Sequence, residues 1–280
     1  MSDEISNLSF SQRNGLQAIP QQLELGKVSP DFRRLVDYAI NREIERVRSA
    51  GSIGYYFVGS WKVVAQDIHV KFFGNRISTY DNSAYKLNQA LEEFTQNKAY
   101  NRLFDLIEFL ANHKNCTDKL KDDLASAFVE GHLAYRLIEK RVVAVGTNEQ
   151  ADALLRAIDK TELSGNLGAR KHLLEAGQKI AIEDWVGSVH ESIHAVEAMA
   201  KSIAPGGTLG NALKQLEKQG TLNQRLKDAF SKLYGYTNDD KTGVRHANVF
   251  GTEDTVSEAD ALFMLGACAS FVSYLIAKSE

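Results

Sequence analysis

The chain has 280 residues, of which 44% are hydrophobic and 25% charged, an ordinary composition for a globular protein able to bury a core. Its net charge of −3 excludes a general attraction to polyanions, so any contact with nucleic acid requires a local basic patch. Two cysteines exclude a disulfide framework, and the opening MSDEISNLSF lacks the apolar core of a secretion signal. We therefore expect a reduced, cytoplasmic protein.

Helical patterns dominate the first half of the chain, after an irregular lead-in over residues 1–28. Ser29-Pro30-Asp31 predicts a helix start, because a capping hydroxyl precedes a proline at the first helical position and an acid at the positive end of the helix dipole. Gly51 ends that helix. Thr117 is predicted to cap a later one. The further amphipathic segments in this half are 55–73, 83–97, 101–113 and 118–134.

A change in the spacing of the apolar residues then predicts a small β-hairpin near residues 135–145. Tyr135–Ile138 and Arg141–Val145 are rich in β-branched residues and flank Glu139-Lys140, although this turn lacks the Asn-Gly or Asp-Gly pair typical of hairpins. Helical patterns resume beyond it. They cover 149–159, 168–177, 180–203, 208–219, 222–233 and 257–278.

These patterns indicate an all-α protein with a minor hairpin. We place a domain boundary near residue 177, between an N-terminal helical domain (1–177) and a C-terminal four-helix unit (178–280). Residues 261–277 are apolar enough to raise the question of a membrane span, but 17 residues is the lower limit for one. A helix that is apolar all round is more often a core or dimer-interface helix, so we expect no membrane contact.

The C-terminal half contains a match to the zinc-protease pattern H-E-x-x-H in His190-Glu191-Ser192-Ile193-His194. On a helix, His190 and His194 lie one turn apart and can share a metal, with Glu191 as general base. The metzincin continuation is absent, since Glu197 and Ala200 occupy its glycine and histidine positions. A zinc peptidase is therefore a minor hypothesis, and we expect no metal or other cofactor. The other histidines of the first 180 residues are expected to be ordinary solvated or core residues: His69, His113, His132 and His172.

The loop Tyr234–Asn248 carries a second candidate site, the adjacent Arg245 and His246. An arginine supplies a fixed cation for phosphate, and a histidine titrates near neutral pH. Residues 201–245 hold eight basic and four acidic side chains, while residues 247–260 hold four acids and no base. A basic groove edged by tyrosines can hold a phosphodiester backbone and stack a base. The alternative is structural, with Asp239 and Asp240 pairing with Arg245 to order a helix entry.

Several segments of the chain share the pattern of one family. They are Phe10-Ser-Gln-Arg-Asn-Gly15 with Pro20, the hairpin segments Tyr135–Ile138 and Val142–Val145, Asn148-Glu149, Glu191–Glu197, Thr208–Leu213, Tyr234-Gly-Tyr-Thr237, Gly243–His246 and Phe263–Leu265 through Tyr274-Leu275. Together they resemble bacterial abortive-infection proteins of the AbiJ type. The resemblance spans the whole chain. It implies a helical sensing or regulatory domain followed by a HEPN domain.

That resemblance also implies a function, an RNA endonuclease of antiphage defence that needs no metal. In such enzymes the ribose 2′-hydroxyl attacks the phosphate and leaves a cyclic phosphate. Arg245 would then stabilise phosphate charge, His246 would move protons and Glu191 would orient one of these groups. The RNA-binding residues would be Tyr234, Tyr236, Lys241 and Asn248.

The sequence departs from the HEPN pattern in one respect. The family places a histidine several residues after the arginine, whereas here the chain after His246 reads Ala-Asn-Val-Phe-Gly-Thr-Glu-Asp. Either His246 serves as the acid/base itself, or the domain is a non-catalytic antitoxin, sensor or scaffold. In both cases the resemblance implies RNA, including tRNA, as ligand and a phage-derived or cognate regulatory partner. It also implies a homodimer through helices 180–203 and 257–278, where Gly266, Ser270 and Ser273 would allow close approach.

Overall fold

The computed structural model describes residues 9–18, 20–47, 56–238 and 256–279. These residues form twelve α-helices and one two-stranded sheet, which confirms the predicted all-α fold with a minor hairpin. The chain divides into two compact units, residues 1–133 and 134–280. The boundary predicted from sequence at residue 177 falls within the second unit, and as a division between functional domains it stays a prediction.

All the named elements in the described residues of the first unit are helices or helical turns. Two of its helix starts are as predicted: Ser29 Oγ accepts the Phe32 N–H and Thr117 Oγ accepts the Leu120 N–H. The predicted helix 55–73 is shorter and changes type along its length. The elements are α1 (Phe10–Arg13), α2 (Pro30–Val47), α3 (Gly59–Asp67) continued by a π-helix (Ile68–Phe72), a 3₁₀ turn (Ile77–Thr79), α4 (Ala84–Asn97), α5 (Tyr100–Asn112) and α6 (Asp118–Glu130).

The core of the first unit forms around α2, which packs against α4 and α6. Phe32 lies at its centre, with ring centroids 4.9 Å from Phe128 and 6.2 Å from Phe104. A charged group is buried in the same helix: Glu43 is fully inaccessible to solvent. It accepts hydrogen bonds from Trp61 Nε1 at 3.0 Å and from Thr117 Oγ1 at 2.8 Å, so its burial is compensated.

The second unit opens with the hairpin and continues through six helices. Tyr135 pairs with Ala144 and Ile138 with Arg141, and the turn residues Glu139 and Lys140 have φ of 49° and 67°. Two left-handed residues give the turn the twist that a hairpin requires, here without glycine. The elements are β1 (Tyr135–Ile138), β2 (Arg141–Ala144), α7 (Asn148–Leu163), α8 (Leu167–Ala181), α9 (Trp185–Ile203), α10 (Leu209–Lys218), α11 (Gln224–Asn238) and α12 (Glu258–Ser279).

The predicted start of the long helix at residue 180 is wrong, because α8 runs through that position and α9 begins only at Trp185. Asp184 sets the new start, since its side chain accepts the Gly187 N–H at 2.8 Å. Glu183 supports the break with a left-handed φ of 62°. The two helices therefore form an antiparallel hairpin joined by residues 182–184, and they pack along their length.

Helix α12 packs against α7 and α9. Among the described residues it is the one helix long and apolar enough to cross a membrane, and half of its most apolar window is buried inside the protein. Its buried side chains recur every three to four residues, as in a core helix. Gly266 is half-buried, and a Cβ there would lie 3.5 Å from Gln150 Cγ of α7. The predicted dimer contact through Gly266, Ser270 and Ser273 stays a prediction.

Candidate functional site

The α8–α9 hairpin brings together three side chains that could bind a ligand. His172 extends from α8, and its Nδ1 lies 2.6 Å from Glu191 Oε2 on α9, so the imidazole N–H donates to the carboxylate. His194 lies one turn beyond Glu191 on the same helix face. Its ring centroid is 5.4 Å from that of His172. One ligand atom from each of the three residues lies within 4.8 Å of the other two.

This group, His172–Glu191–His194, differs from the pair that H-E-x-x-H suggested. The rings of His190 and His194 are 6.3 Å apart, and in the close group His172 takes the place expected of His190. Sequence reasoning missed His172 because it lies 19 residues from Glu191 and no contiguous motif joins them. The available signal was the Glu-x-x-His spacing of 191 and 194, which puts two ligand types on one face of a helix.

Charged side chains of the same two helices surround the group. Lys179 Nζ lies 2.7 Å from Asp184 Oδ2. This hydrogen bond raises the pKa of Lys179, and the charges of Glu191 and Glu175 add to the effect. The same bond lowers the pKa of Asp184, helped by the Gly187 N–H. Glu175 also lies near the group, with Oε2 3.9 Å from His172 Nδ1. The hairpin thus carries two pairs of one histidine and one glutamate, three residues apart on each helix.

A second feature of this unit is a groove between α11 and α12, with a volume of about 270 Å³. Tyr236 and Phe263 supply aromatic rings, Lys232 and Asp260 supply charge, and the remaining lining is aliphatic: Ala229, Leu233 and Met264. Phe263 is 56% exposed, which is unusual for so large an apolar side chain. Tyr234 lies on the same helix and is half-buried.

Four of the predicted site residues lie outside the described part of the chain: Lys241, Arg245, His246 and Asn248. The described chain leaves α11 at Asn238 and resumes at Val256, just before α12. Tyr236 and Asp260, close to these two ends, line the same groove.

Comparison with known proteins identifies the first half of the chain. The model of the family AbiJ N-terminal domain 4 matches residues 8–160, more than half of the length. The chain belongs to this AbiJ family. It is thus an abortive-infection-associated protein, as the resemblance implied. The match covers the first unit, the hairpin and most of α7.

The family match ends before α8, so the helices that carry His172, Glu191, Tyr236 and Phe263 lie beyond it. No curated protein and no solved structure matched the chain.

Proposed function

We propose that this AbiJ-family protein is an antiphage endoribonuclease whose C-terminal helices form a HEPN-type domain. The observation that carries the proposal is the aromatic groove between α11 and α12, which lies next to both ends of the segment holding Arg245 and His246. A nuclease needs a place for a base beside a place for phosphate. The groove offers the first, and the Arg-His pair offers the second.

The lining of the groove suits a single-stranded nucleic acid. Tyr236 and Phe263 present ring surfaces on which a base can stack, and each such contact contributes about 1–3 kcal/mol in proteins that bind single strands. Lys232 adds a cation at the edge for a phosphate. Over residues 201–245 the excess of four positive charges favours a polyanion locally, although the whole chain is slightly acidic. Tyr234, Lys241 and Asn248 complete the proposed RNA contacts.

In the proposed reaction the ribose 2′-hydroxyl of RNA is the nucleophile. His246 removes its proton, the oxygen attacks the adjacent phosphorus, and the bond to the 5′-oxygen of the next nucleotide breaks. A proton then goes to that leaving oxygen, and a 2′,3′-cyclic phosphate remains. Arg245 holds the non-bridging oxygens, whose charge grows in the transition state. The described partner of Glu191 is His172, so no step of this reaction is assigned to Glu191, and its catalytic role stays a prediction.

We further propose that the protein works in the cytoplasm as a homodimer, in which two Arg-His segments face one RNA. A phage-derived or cognate partner would release or restrain the activity through the AbiJ N-terminal domain. Growth arrest after release of such a nuclease is the expected outcome in an infected cell.

A second candidate function is a non-catalytic module that binds RNA or a partner protein. The observation in its favour is the sequence after His246, which lacks the second histidine of active HEPN domains. In this account Arg245 and the groove bind RNA without cutting it. The two candidates differ in one respect that can be measured, namely whether RNA is broken.

Induced expression in a bacterium tests the proposal. We expect growth arrest with fragmented cellular RNA, and we expect Arg245→Ala and His246→Ala to abolish both while the protein level stays unchanged. Arg34→Ala is the matched control, since this arginine is exposed in the first unit. Arrest with intact RNA would favour the binding module, and arrest that persists in Arg245→Ala would contradict the nuclease proposal.

A further inference from the structure

The group His172–Glu191–His194 has the composition of a transition-metal site. Two imidazoles and one carboxylate suit Zn²⁺, Ni²⁺ or Cu²⁺, whereas Mg²⁺ and Ca²⁺ prefer oxygen ligands alone. The Glu-x-x-His spacing presents Glu191 and His194 from one face of α9. The third ligand comes from the neighbouring helix, as in helical bundles that bind metals between facing helices. We propose that this group binds one divalent transition-metal ion, with zinc as the reference case.

The geometry is close to that of a metal site. Zinc is bound by nitrogen and oxygen at about 2.0–2.1 Å, so tetrahedral donors lie about 3.3 Å apart. The three donor atoms here lie within 4.8 Å of one another. His172 Nδ1 and Glu191 Oε2 are hydrogen-bonded at 2.6 Å, so they would move apart by about 0.7 Å to bind one ion. Zinc would enter between these two atoms and replace the proton that they share. His194 is exposed, and rotation of its side chain would complete the site.

The surroundings of the group hold the ligands in place while leaving it open. Glu191 and His172 are mostly covered, with 18% and 30% of their side chains exposed. Ser188, Val189, Ser192 and Ile193 are buried on the same helix, so the backbone of α9 is fixed at this point. Glu175 lies one turn from His172 and can provide a fourth ligand through a carboxylate oxygen, or a water molecule can take that position.

This proposal is independent of the proposed nuclease reaction, which uses no metal. A bound zinc would link α8 to α9 and stabilise the second unit, because the ion binds the folded hairpin and not an unfolded chain. Loss of zinc binding in His172→Ala or His194→Ala would leave RNA cleavage in EDTA untouched, and absence of cleavage would leave zinc binding untouched. The two proposals can therefore fail separately.

The test is zinc titration of untagged full-length protein that has been stripped with EDTA. We expect about one Zn²⁺ per chain by calorimetry and a melting temperature that rises with zinc. His172→Ala, His194→Ala and Glu191→Gln should each weaken binding by about 100-fold or more, above the 10–100-fold typical of outer-shell partners. Circular dichroism without zinc reports whether each variant is folded. If one alanine variant is unfolded, Glu191→Gln still tests the site, because it conserves the shape of the side chain.

His190→Ala is the matched control. This residue lies one turn from His194 on the same helix but outside the close group. Zinc binding that is retained in His190→Ala and lost in His172→Ala supports the site. Binding that is lost in His190→Ala and kept in His172→Ala would overturn it in favour of the H-E-x-x-H pair. Binding of equal strength in all variants, or none in the parent protein, would also overturn it.

Discussion

The imidazole of His172 and the carboxylate of Glu191 meet at 2.6 Å between α8 and α9, although the two residues lie 19 positions apart in the chain. The pair is partly covered, so its hydrogen bond is less screened than a surface ion pair. We expect a double-mutant cycle with His172→Ala and Glu191→Ala, run in EDTA, to give a coupling free energy of unfolding of about 1 kcal/mol. Additive losses would contradict a direct interaction. His190→Ala with Glu191→Ala provides the comparison cycle.

Gly177 lies where α8 crosses strand β2 of the β-hairpin, and a Cβ there would collide with Val143 Cγ1. Gly177→Ala should therefore lower the free energy of unfolding by about 1–3 kcal/mol, as in other overpacked cores. Gly210 is also helical, but nothing lies within 4 Å of its Cβ position. Gly210→Ala should leave stability unchanged or raise it by up to about 1 kcal/mol. Urea denaturation of both variants tests the prediction, and equal effects would contradict it.

Glu43 is a buried charge held by Trp61, Thr117 and Arg46. Glu43→Ala leaves these donors without their shared acceptor, so we expect the free energy of unfolding to fall by about 3–5 kcal/mol. Glu43→Gln keeps the shape and an acceptor oxygen and should cost less. Thermal unfolding of the two variants provides the measurement. A loss of less than about 1 kcal/mol in Glu43→Ala would contradict the prediction, because the donors would then have found water or another side chain as acceptor.

The pH dependence of stability should reflect Asp184, whose pKa is lowered by the hydrogen bond from Lys179 and then by the Gly187 N–H. A carboxylate with a lowered pKa in the folded state contributes stability above its ordinary value of 3.8, and this contribution disappears as the pH falls through the folded pKa. Asp184→Asn keeps the helix cap and removes the charge. Its melting temperature should be lower than that of the parent at neutral pH, and the gap should shrink below about pH 4. A gap that is constant with pH would contradict the assignment.

The two thiols should be unreactive in the folded protein. Burial, followed by the charge of Glu43, raises the pKa of Cys116 to about 12, and burial raises the pKa of Cys268 as well. Because the thiolate is the reactive form, a thiol reagent at about pH 8 should label neither residue until denaturant is added. Both should then react. Rapid labelling of one thiol in the native protein would show local opening of the structure around it.

Much of the fold could be predicted from local signals. Ser29, Pro30 and Thr117 mark helix starts because caps act within one turn, and the β-branched run at 135–145 predicted the hairpin without the usual turn residues. The break at residues 182–184 was missed. It depends on Asp184 capping α9, and a lone aspartate inside a continuous apolar pattern gives little warning of a cap.

The candidate sites were less accessible to sequence reasoning. H-E-x-x-H drew attention to His190, whereas the packing of α8 on α9 brings His172 to Glu191. Such a contact depends on how two helices align, which no single helix encodes. Tyr236 was predicted as part of a loop beginning at Tyr234, whereas α11 continues through it to Asn238. Its groove partner Phe263 lies 27 residues later and resembled an ordinary core residue of an apolar helix. Arg245 and His246 lie outside the described residues and stay predictions.

RNA cleavage by the purified protein in the presence of EDTA tests the proposed nuclease activity most directly. We expect tRNA or total RNA to be cut to products with 2′,3′-cyclic phosphate ends. The Arg245→Ala and His246→Ala proteins should show no cleavage, and Tyr236→Ala should weaken RNA binding relative to the exposed-tyrosine control Tyr85→Ala. Intact RNA with the parent protein, or cleavage that persists in Arg245→Ala, would contradict the account.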